Sequence, residues 1–259
     1  MTTAQEISGI AQLLDEAAGA RTPTLQLSAR GHRLSLPQAY AVQRALLERR
    51  MARAERLVGV KMGFTSAAKR EQMGIEDLIW GRLTDAMQLR CGAQTSLGSF
   101  IHPRVEPEVA FLLKRPLAGK VGCAEALAAV EAVAPALEIL DSRYRDFRFS
   151  LADVIADNSS SAAFVLGAWQ PPPAALADLS IVMSFNEQPV QRGSSADVMG
   201  DPLLSLVAAA RLAAEQELTL AAGWLVLSGG ATAAEPLRAD TRVSASVQSL
   251  GSVGFEVLP

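Results

Sequence analysis

The sequence of 259 residues contains very few histidines and cysteines, namely His32, His102, Cys91 and Cys123. This scarcity argues against a zinc site made of histidine and cysteine, an iron–sulfur cluster and a disulfide framework. A metal bound by this chain would need mostly carboxylate ligands, and carboxylates select hard cations.

Signals for membranes, nucleotides and nucleic acids are also missing. The sequence contains no stretch of about 18 apolar residues, which is the length needed to span a bilayer. The acidic Glu6, Asp15 and Glu16 near the start are not typical of a signal peptide. We therefore expect a cytoplasmic protein without a membrane partner. The 24 lysines and arginines are scattered among 27 acidic residues, so no nucleic-acid partner is expected. No P-loop, strand-linked GxGxxG or GxSxG motif occurs.

Hydrophobic periodicity predicts an α+β protein, with helices at the front of the chain and mostly strands after it. We expect an N-terminal helical part over 1–55 and a β-rich catalytic core over 56–259, in one continuous globular unit. The predicted helices cover 4–19, 37–54, 66–73, 124–134 and 203–216. The predicted strands cover 56–63, a segment around 105–113, 136–141, 162–167, 179–186, 224–228 and a hairpin over 243–257.

An acidic pair, Glu106 and Glu108, lies in the extended segment around 105–113. Alternation places both carboxylates on one face, with backbone positions roughly 7 Å apart. Like charges this close need a counter-charge, which a divalent cation supplies. The alternative is a solvated face of an edge strand, where Pro107 would be tolerated. The spacing alone favours this alternative.

A third carboxylate, Glu138, stands between Leu137 and Ile139 in an otherwise apolar strand. Burying a lone carboxylate is costly unless it is paired or bound to a metal, although a Glu here could also point outward. Together with water, three such carboxylates would make an octahedral Mg²⁺ or Mn²⁺ site.

Three other segments carry chemistry-bearing residues, and each has a structural alternative. Lys61 lies in an apolar strand bounded by glycines, where it is either a pocket ammonium or a lysine reaching out from a strand edge. The polar cluster 157–161 offers hydroxyl donors to a carboxylate, although its composition favours a plain turn. Gly229 and Gly230 permit a ligand to approach the backbone closely, or form a tight turn.

Five segments, taken in order, carry a family resemblance. The chain resembles the hydratase/decarboxylase family of meta-cleavage pathways, which degrade aromatic compounds, within the fumarylacetoacetate hydrolase superfamily. The similarity runs from about residue 30 to the C-terminus. The segments are Lys61 to Ser66, Gly81 to Asp85, the Glu106 and Glu108 segment, Leu137 to Tyr144, and Ala156 to Ser160.

The resemblance implies the mixed β-roll of that superfamily, with N-terminal helices packed on it. It also implies roles for particular residues. Glu106, Glu108 and Glu138 would hold Mg²⁺, with Mn²⁺ as a substitute, and Lys61 would be the catalytic cation of the pocket. The residues expected to contact substrate are Ser160, Arg143, Gly230 and Thr232.

Several short sequence segments favour the decarboxylase branch of the family, and they include Lys61 to Gly63 and Ile101 to Pro103. That branch implies Mg²⁺-dependent decarboxylation of 2-oxo-3-hexenedioate, a small dicarboxylate, to 2-hydroxypenta-2,4-dienoate. A hydratase acting on that product is the main alternative, and an acylpyruvate-type hydrolase has weaker support. The resemblance also implies a complex with the pathway hydratase, and we expect a homo-oligomer. Candidates to orient the second carboxylate are Arg82, Arg143 and Arg145, and 62–83 is a candidate lid.

Overall fold

The computed structural model describes residues 3–66, 71 and 77–259. The short helix predicted over 66–73 and the central part of the candidate lid 62–83 lie outside the described residues. Among the residues described, no helix is long and apolar enough to cross a membrane.

Three helices, α1 (Ala4–Ala20), α4 (Leu151–Ala156) and α5 (Pro202–Ala214), begin at side chains that accept from free backbone N–H groups. Thr3 accepts a hydrogen bond from the Glu6 N–H at 3.2 Å, and Asp201 accepts one from the Leu203 N–H at 2.8 Å, with Pro202 at the first helical position. The helices α2 (Leu36–Met51) and α3 (Cys123–Ala129) lie between α1 and α4 in the chain.

The strands make up two sheets. They are β1 (Leu57–Gly63), β2 (Ile79–Thr84), β3 (Gln88–Leu89), β4 (Gln94–Ser96), β5 (Arg104–Leu113), β6 (Val130–Leu140), β7 (Ser161–Leu166), β8 (Ser180–Phe185), β9 (Gln188–Ser194), β10 (Leu225–Leu227), β11 (Glu235–Pro236), β12 (Thr241–Val247) and β13 (Gly251–Leu258).

The larger sheet has the order β2-β1-β10-β5-β6-β7-β3, and β11 pairs with the start of β5. It is a mixed sheet, because β1 and β10 are parallel whereas β5 and β6 are antiparallel. The second sheet has the order β4-β13-β12-β8-β9. A shared apolar layer joins the two sheets and includes Val105, Leu137, Ile139, Val165, Met183, Val243 and Phe255. The α+β prediction is therefore confirmed.

The N-terminal helices pack against the side of the larger sheet where β2 lies. Ile10 and Leu14 of α1 and Val42 of α2 share a buried cluster with Ile79 and Ile155. The buried amide of Gln43 donates to the carbonyl oxygens of Trp80 at 2.9 Å and Ile155 at 3.2 Å. The helices are thereby tied to β2 and α4, as the prediction of N-terminal helices packed on a β-roll requires.

The largest error of the sequence-based assignment is the helix over 124–134. The helix α3 ends at Ala129, and Val130 begins β6. Pro135 lacks the N–H that a helix would need, and proline disfavours the helical conformation at the residue before it. The many alanines of this segment favoured a helix, but the β-branched Val130 and Val133 pack in the sheet core.

The sequence pattern also missed six elements, namely β2, β3, β4, β9, β11 and α4. Every residue of β2 is buried, so no apolar alternation marks it. The edge strand β9 is mostly exposed and polar, and α4 has only six residues. The hairpin predicted over 243–257 turns at 248–250, and Gly251 and Gly254 both lie in β13.

Candidate metal and substrate site

Three buried glutamates meet on one face of the larger sheet. Antiparallel pairing of β5 with β6 sets Glu106 opposite Glu138, and Glu108 lies two residues further along β5 on the same face. One carboxylate oxygen from each lies within 4.8 Å of the others. Glu108 and Glu138 are completely buried and Glu106 is 7% exposed, so the solvated edge-strand interpretation is wrong.

The electrostatics of this cluster favour a cation among the three carboxylates. Burial raises the pKa of Glu108 well above its ordinary value, and the neighbouring Glu138 and Glu106 raise it further. Burial also raises the pKa of Glu138, against the opposing effect of the Lys61 ammonium. Among the described residues, Glu108 Oε1 and Glu138 Oε1 have no hydrogen-bond partner. Orphaned carboxylate oxygens in an acidic cluster are ligands that suit a hard divalent cation.

Lys61 is the buried ammonium beside this cluster. It lies on β1, between β2 and β10, and only 3% of its side chain is exposed. Its Nζ is 3.1 Å from Glu138 Oε2, so it is an internal cation and not a lysine at a strand edge. Within the described ranges, the ion pair of this ammonium with Glu138 offsets only part of the charge of three carboxylates.

The glycine turn after β10 brings backbone against the carboxylates. The Gly229 N–H donates to Glu108 Oε2 at 2.7 Å. A Cβ atom placed on Gly230 would lie 2.3 Å from Glu106 Oε2, and Gly229 has a φ of +96° beside Thr65. Only residues without a side chain fit here, because Thr65 and the Glu106 carboxylate lie close to the two glycines. The approach of a ligand to this turn stays a prediction.

A cavity of about 380 Å³ opens from this cluster, and we call it the carboxylate cavity. Four residues predicted for the site line it, namely Lys61, Glu106, Ser160 and Gly230. Its apolar wall consists of Ile79, Leu140, Phe147, Phe149, Val154, Ala233 and Ala234. The cavity therefore has a charged floor and an apolar wall, as expected for a site that binds a small organic anion.

Ser160 reaches the cavity from an unusual turn. Asn158, Ser159 and Ser160 all have left-handed φ values, of 51°, 55° and 57°. Such residues cost free energy, and they persist where the surroundings hold them. The Asn158 amide bonds both the N–H and the carbonyl of Arg82, at 2.8 and 2.9 Å, and the Ser159 hydroxyl donates to the Trp80 carbonyl at 2.9 Å. Ser160 Oγ has no partner among the described residues, so its hydroxyl is free for a ligand.

We expect the Asn158→Ala variant to lose about 3 kcal/mol of unfolding free energy, because it leaves two buried backbone groups of Arg82 unpaired and alanine resists a left-handed φ. Chemical denaturation measures this loss. Asn186→Ala is the matched control, since Asn186 also has a positive φ but is exposed. Equal losses in both variants would contradict the role given to the Asn158 amide.

Two predicted substrate residues, Arg143 and Thr232, do not line the carboxylate cavity. The Arg143 guanidinium donates to the Asp157 carboxylate and to the Asp141 carbonyl at 2.6 Å. It borders a separate cavity of about 510 Å³ under the N-terminal helices. The Thr232 hydroxyl donates to the Ala233 carbonyl at 3.0 Å. In this structure the Arg143 side chain therefore holds backbone in place.

The other arginines considered for the second carboxylate are also absent from the cavity wall. The Arg82 guanidinium lies 5.0 Å from the Trp80 ring centroid, and burial lowers the pKa of Arg82 to about 10. Arg145 is exposed at the start of a short 3₁₀ turn. The arginine that does line the cavity is Arg104, which the sequence analysis missed. Alternation along β5 could have found it, because Arg104 precedes Glu106 by two residues.

Comparison with known proteins identifies the family. Residues 73–258 match the fumarylacetoacetate (FAA) hydrolase C-terminal family. The chain belongs to the fumarylacetoacetate hydrolase family. It is 54% identical over 250 residues to a 4-oxalocrotonate decarboxylase of a Pseudomonas species, covering 96% of this chain and 97% of that protein.

Other members of the fumarylacetoacetate hydrolase family are similar over the whole chain. A 2-hydroxyhexa-2,4-dienoate hydratase of Comamonas testosteroni is 33% identical over 261 residues, and the alignment covers 99% of this chain and 99% of that protein. The solved structure of a 4-oxalocrotonate decarboxylase from Pseudomonas putida G7, complexed with magnesium and adipate, superposes with a TM-score of 0.96 at 33% identity. The match covers 100% of this chain and 99% of that one, so the predicted family fold is confirmed.

Proposed function

We propose that this chain catalyses the Mg²⁺-dependent decarboxylation of 2-oxo-3-hexenedioate, also called 4-oxalocrotonate, to 2-hydroxypenta-2,4-dienoate. The observation that carries the proposal is the 54% identity, over nearly the full length of both chains, to a 4-oxalocrotonate decarboxylase. The named dienoate hydratase is 33% identical at similar coverage. The protein is accordingly a carboxy-lyase of aromatic catabolism, and not the hydratase that was the main alternative.

The cofactor we assign is Mg²⁺, held by Glu106, Glu108 and Glu138. Their clustered oxygens, two of them without hydrogen-bond partners among the described residues, fit a hard divalent cation, which Mn²⁺ could also be. The similar decarboxylase structure was solved with magnesium and with adipate, a six-carbon dicarboxylate. When bound, the metal supplies positive charge that binds the 2-oxo acid end of the substrate and polarises it.

The reaction requires that the C5–C6 bond breaks and that CO₂ leaves from C6. The electron pair of that bond moves through C5, C4 and C3, so that negative charge develops on the oxygen at C2. That oxygen gains a proton to give the dienol product. The protein must therefore stabilise charge at C2, far from the carbon that loses CO₂.

Lys61 and Ser160 are the residues of this chain that we assign to that charge. The Lys61 ammonium donates one hydrogen to Glu138 and carries two more that can be donated to a ligand. Lys61 and Ser160 both line the cavity. We assign Lys61 to stabilise the C2 oxygen as it becomes negative, and the free Ser160 hydroxyl to donate to the substrate carboxylate at C1. The apolar side chains of Ile79 and Phe149 in the wall offer water no hydrogen-bond partner, which we expect to disfavour hydration or hydrolysis.

The test is an ultraviolet assay of the purified protein with Mg²⁺ on two substrates. We expect consumption of 2-oxo-3-hexenedioate with one equivalent of CO₂ released, and no consumption of 2-hydroxypenta-2,4-dienoate. Turnover of the dienoate alone would replace the decarboxylase proposal by the hydratase. Cleavage of an acylpyruvate alone would replace it by the hydrolase.

We expect the Gly230→Ala variant to bind Mg²⁺ at least about tenfold more weakly, because its methyl group would displace the Glu106 carboxylate. Isothermal titration with Mg²⁺ measures the affinity. Gly9→Ala is the control, since a Cβ there meets nothing within 4 Å. Unchanged Mg²⁺ affinity in Gly230→Ala would remove Glu106 from the metal site.

Three further expectations stay predictions from the sequence. They are self-association, a complex with the hydratase of the same pathway, and a cytoplasmic location. Size-exclusion chromatography of the protein, alone and mixed with the purified hydratase, measures the first two.

A further inference from the structure

The charged side chains that line the carboxylate cavity differ in whether an opposite charge of the protein lies beside them. Lys61 is engaged by Glu138 at 3.1 Å, and Glu106 belongs to the carboxylate cluster. Arg104 also lines the cavity. Among the residues described, no carboxylate forms an ion pair with its guanidinium. A dicarboxylate bound in this cavity thus finds one cationic side chain, Arg104, whose charge is not neutralised by a carboxylate from the described part of the chain.

The position of Arg104 suits the far end of such a ligand. It is the first residue of β5, and it lies on the same face as Glu106, two residues further on. Their backbone positions are about 7 Å apart along the strand. This separation is of the same order as the length of a six-carbon dicarboxylate. A ligand whose first carboxylate is held at the glutamate cluster can therefore extend its second carboxylate toward Arg104.

The ring of Phe147 orients the guanidinium. Arg104 Cζ lies 4.9 Å from the centroid of that ring, and Phe147 itself lines the cavity. Contact with an aromatic face fixes the plane of a guanidinium while its N–H groups, which point outward in that plane, stay available. Those N–H groups match the two oxygens of a carboxylate.

The solvent exposure of Arg104 determines how strongly its guanidinium would stabilise a bound carboxylate. A partly hydrated arginine binds a carboxylate without removing all of its water, so it stabilises the charge only modestly. This matters because the carboxylate at C6 must lose its charge when CO₂ leaves. Arg104 is therefore expected to assist binding more than the chemical step.

We propose that Arg104 binds the second carboxylate of the substrate and makes the site selective for dicarboxylates over monocarboxylates. This inference rests on the proposed function for the identity of the substrate. The selectivity itself is a property of the cavity and can be measured with inert ligands.

The experiment compares adipate with hexanoate, a six-carbon acid with a single carboxylate, as ligands of the Mg²⁺-loaded protein in isothermal titration. We expect the unaltered protein to bind adipate about tenfold more tightly than hexanoate. Arg104→Gln should lose this preference by weakening adipate alone, and Arg104→Lys should restore part of it. Arg242→Gln, at an exposed arginine of the second sheet, should bind both ligands like the unaltered protein.

Kinetics separate a binding role from a merely structural one. For 2-oxo-3-hexenedioate, Arg104→Gln should raise KM about tenfold and change kcat by less than about threefold. Equal binding of adipate and hexanoate by the unaltered protein would overturn the proposal without any variant. So would an unchanged preference in Arg104→Gln, or an equal loss of affinity for both ligands.

Failure of this proposal and failure of the proposed function look different. If the protein decarboxylates 2-oxo-3-hexenedioate but its preference for adipate is independent of Arg104, only the role of Arg104 is wrong. If adipate binding depends on Arg104 but no CO₂ is released, the dicarboxylate subsite stands and the decarboxylase function is wrong.

Discussion

Replacing Lys61 by methionine is expected to lower kcat by about 10²–10³, which corresponds to about 3–4 kcal/mol of barrier, because the ammonium stabilises charge that exists only as the reaction proceeds. Methionine fills similar space in this buried position, so the loss reports on charge more than on packing. Steady-state release of CO₂ from 2-oxo-3-hexenedioate measures the effect.

The affinity for Mg²⁺ is expected to be retained or raised in Lys61→Met. The lysine is 3.1 Å from Glu138, and removing its positive charge leaves that carboxylate more attractive to a second cation. Lys120→Met, at an exposed lysine, is the control and should leave kcat unchanged. If Lys61→Met keeps kcat within tenfold of the unaltered protein, the role assigned to this ammonium is wrong. A large fall in Mg²⁺ affinity would instead make Lys61 a residue that organises the metal site.

Replacing Glu108 by glutamine is expected to move activity and stability in opposite directions. Loss of one metal-binding carboxylate should lower kcat/KM by about 10³ at a fixed Mg²⁺ concentration, because the metal supplies several kcal/mol of charge stabilisation. In the metal-free protein at pH 7.5, the same change should raise the unfolding free energy by about 1–3 kcal/mol. Glutamine keeps an oxygen that can accept from Gly229 and removes a charge that is fully buried.

Titration of Glu108 gives this prediction a pH signature. Its pKa in the folded protein is raised well above that of the unfolded chain, so folding favours the protonated form. The stability that the protonated carboxyl contributes is complete below the unfolded-state pKa, and it is lost as pH rises through the folded-state pKa. We expect the metal-free protein to become less stable with rising pH over this range, and Glu108→Gln to flatten the dependence.

Urea denaturation with a chelator, at several pH values, measures this slope. Glu131→Gln is the control, because Glu131 lies on β6 but is exposed. Saturating Mg²⁺ should reverse the slope in the unaltered protein, since metal binds the ionised carboxylates. If the unfolding free energy of the metal-free protein depends on pH equally in Glu108→Gln and in the unaltered protein, titratable groups other than Glu108 set that dependence.

The acidic cluster illustrates how far the sequence leads. The spacing of Glu106 and Glu108 places both on one face of an extended segment, and Glu138 stands alone in an apolar strand. Local pattern could not decide between a metal site and a solvated strand, because it does not show which strand lies beside β5. The family resemblance favoured the metal site, and the pairing of Glu106 with Glu138 then supplied the geometry.

The residues predicted to contact substrate show the same limit of local sequence pattern, because only some of them line the cavity. Lys61, Ser160 and Gly230 line the cavity, whereas the Arg143 guanidinium bonds backbone outside it. Thr232 is not itself in the wall, although its hydroxyl donates to Ala233, which is. Sequence position says where a residue lies on its element but not which of several neighbouring oxygens its side chain meets. Arg143 lies close to the predicted site in sequence, and the buried Asp157 beside it engages its guanidinium.

Hydrophobic periodicity in the sequence indicated the α+β class, and the resemblance of five motifs to a known family indicated the family and the kind of reaction. The assignment of Glu106, Glu108 and Glu138 as metal ligands stays a prediction. Only the tertiary structure decided which groups meet. Strand order set Lys61 against Glu138, the turn over 158–160 brought Ser160 to the cavity wall, and the start of β5 placed Arg104 there too. These contacts join residues far apart in the chain, and their distances follow from how the sheets pack.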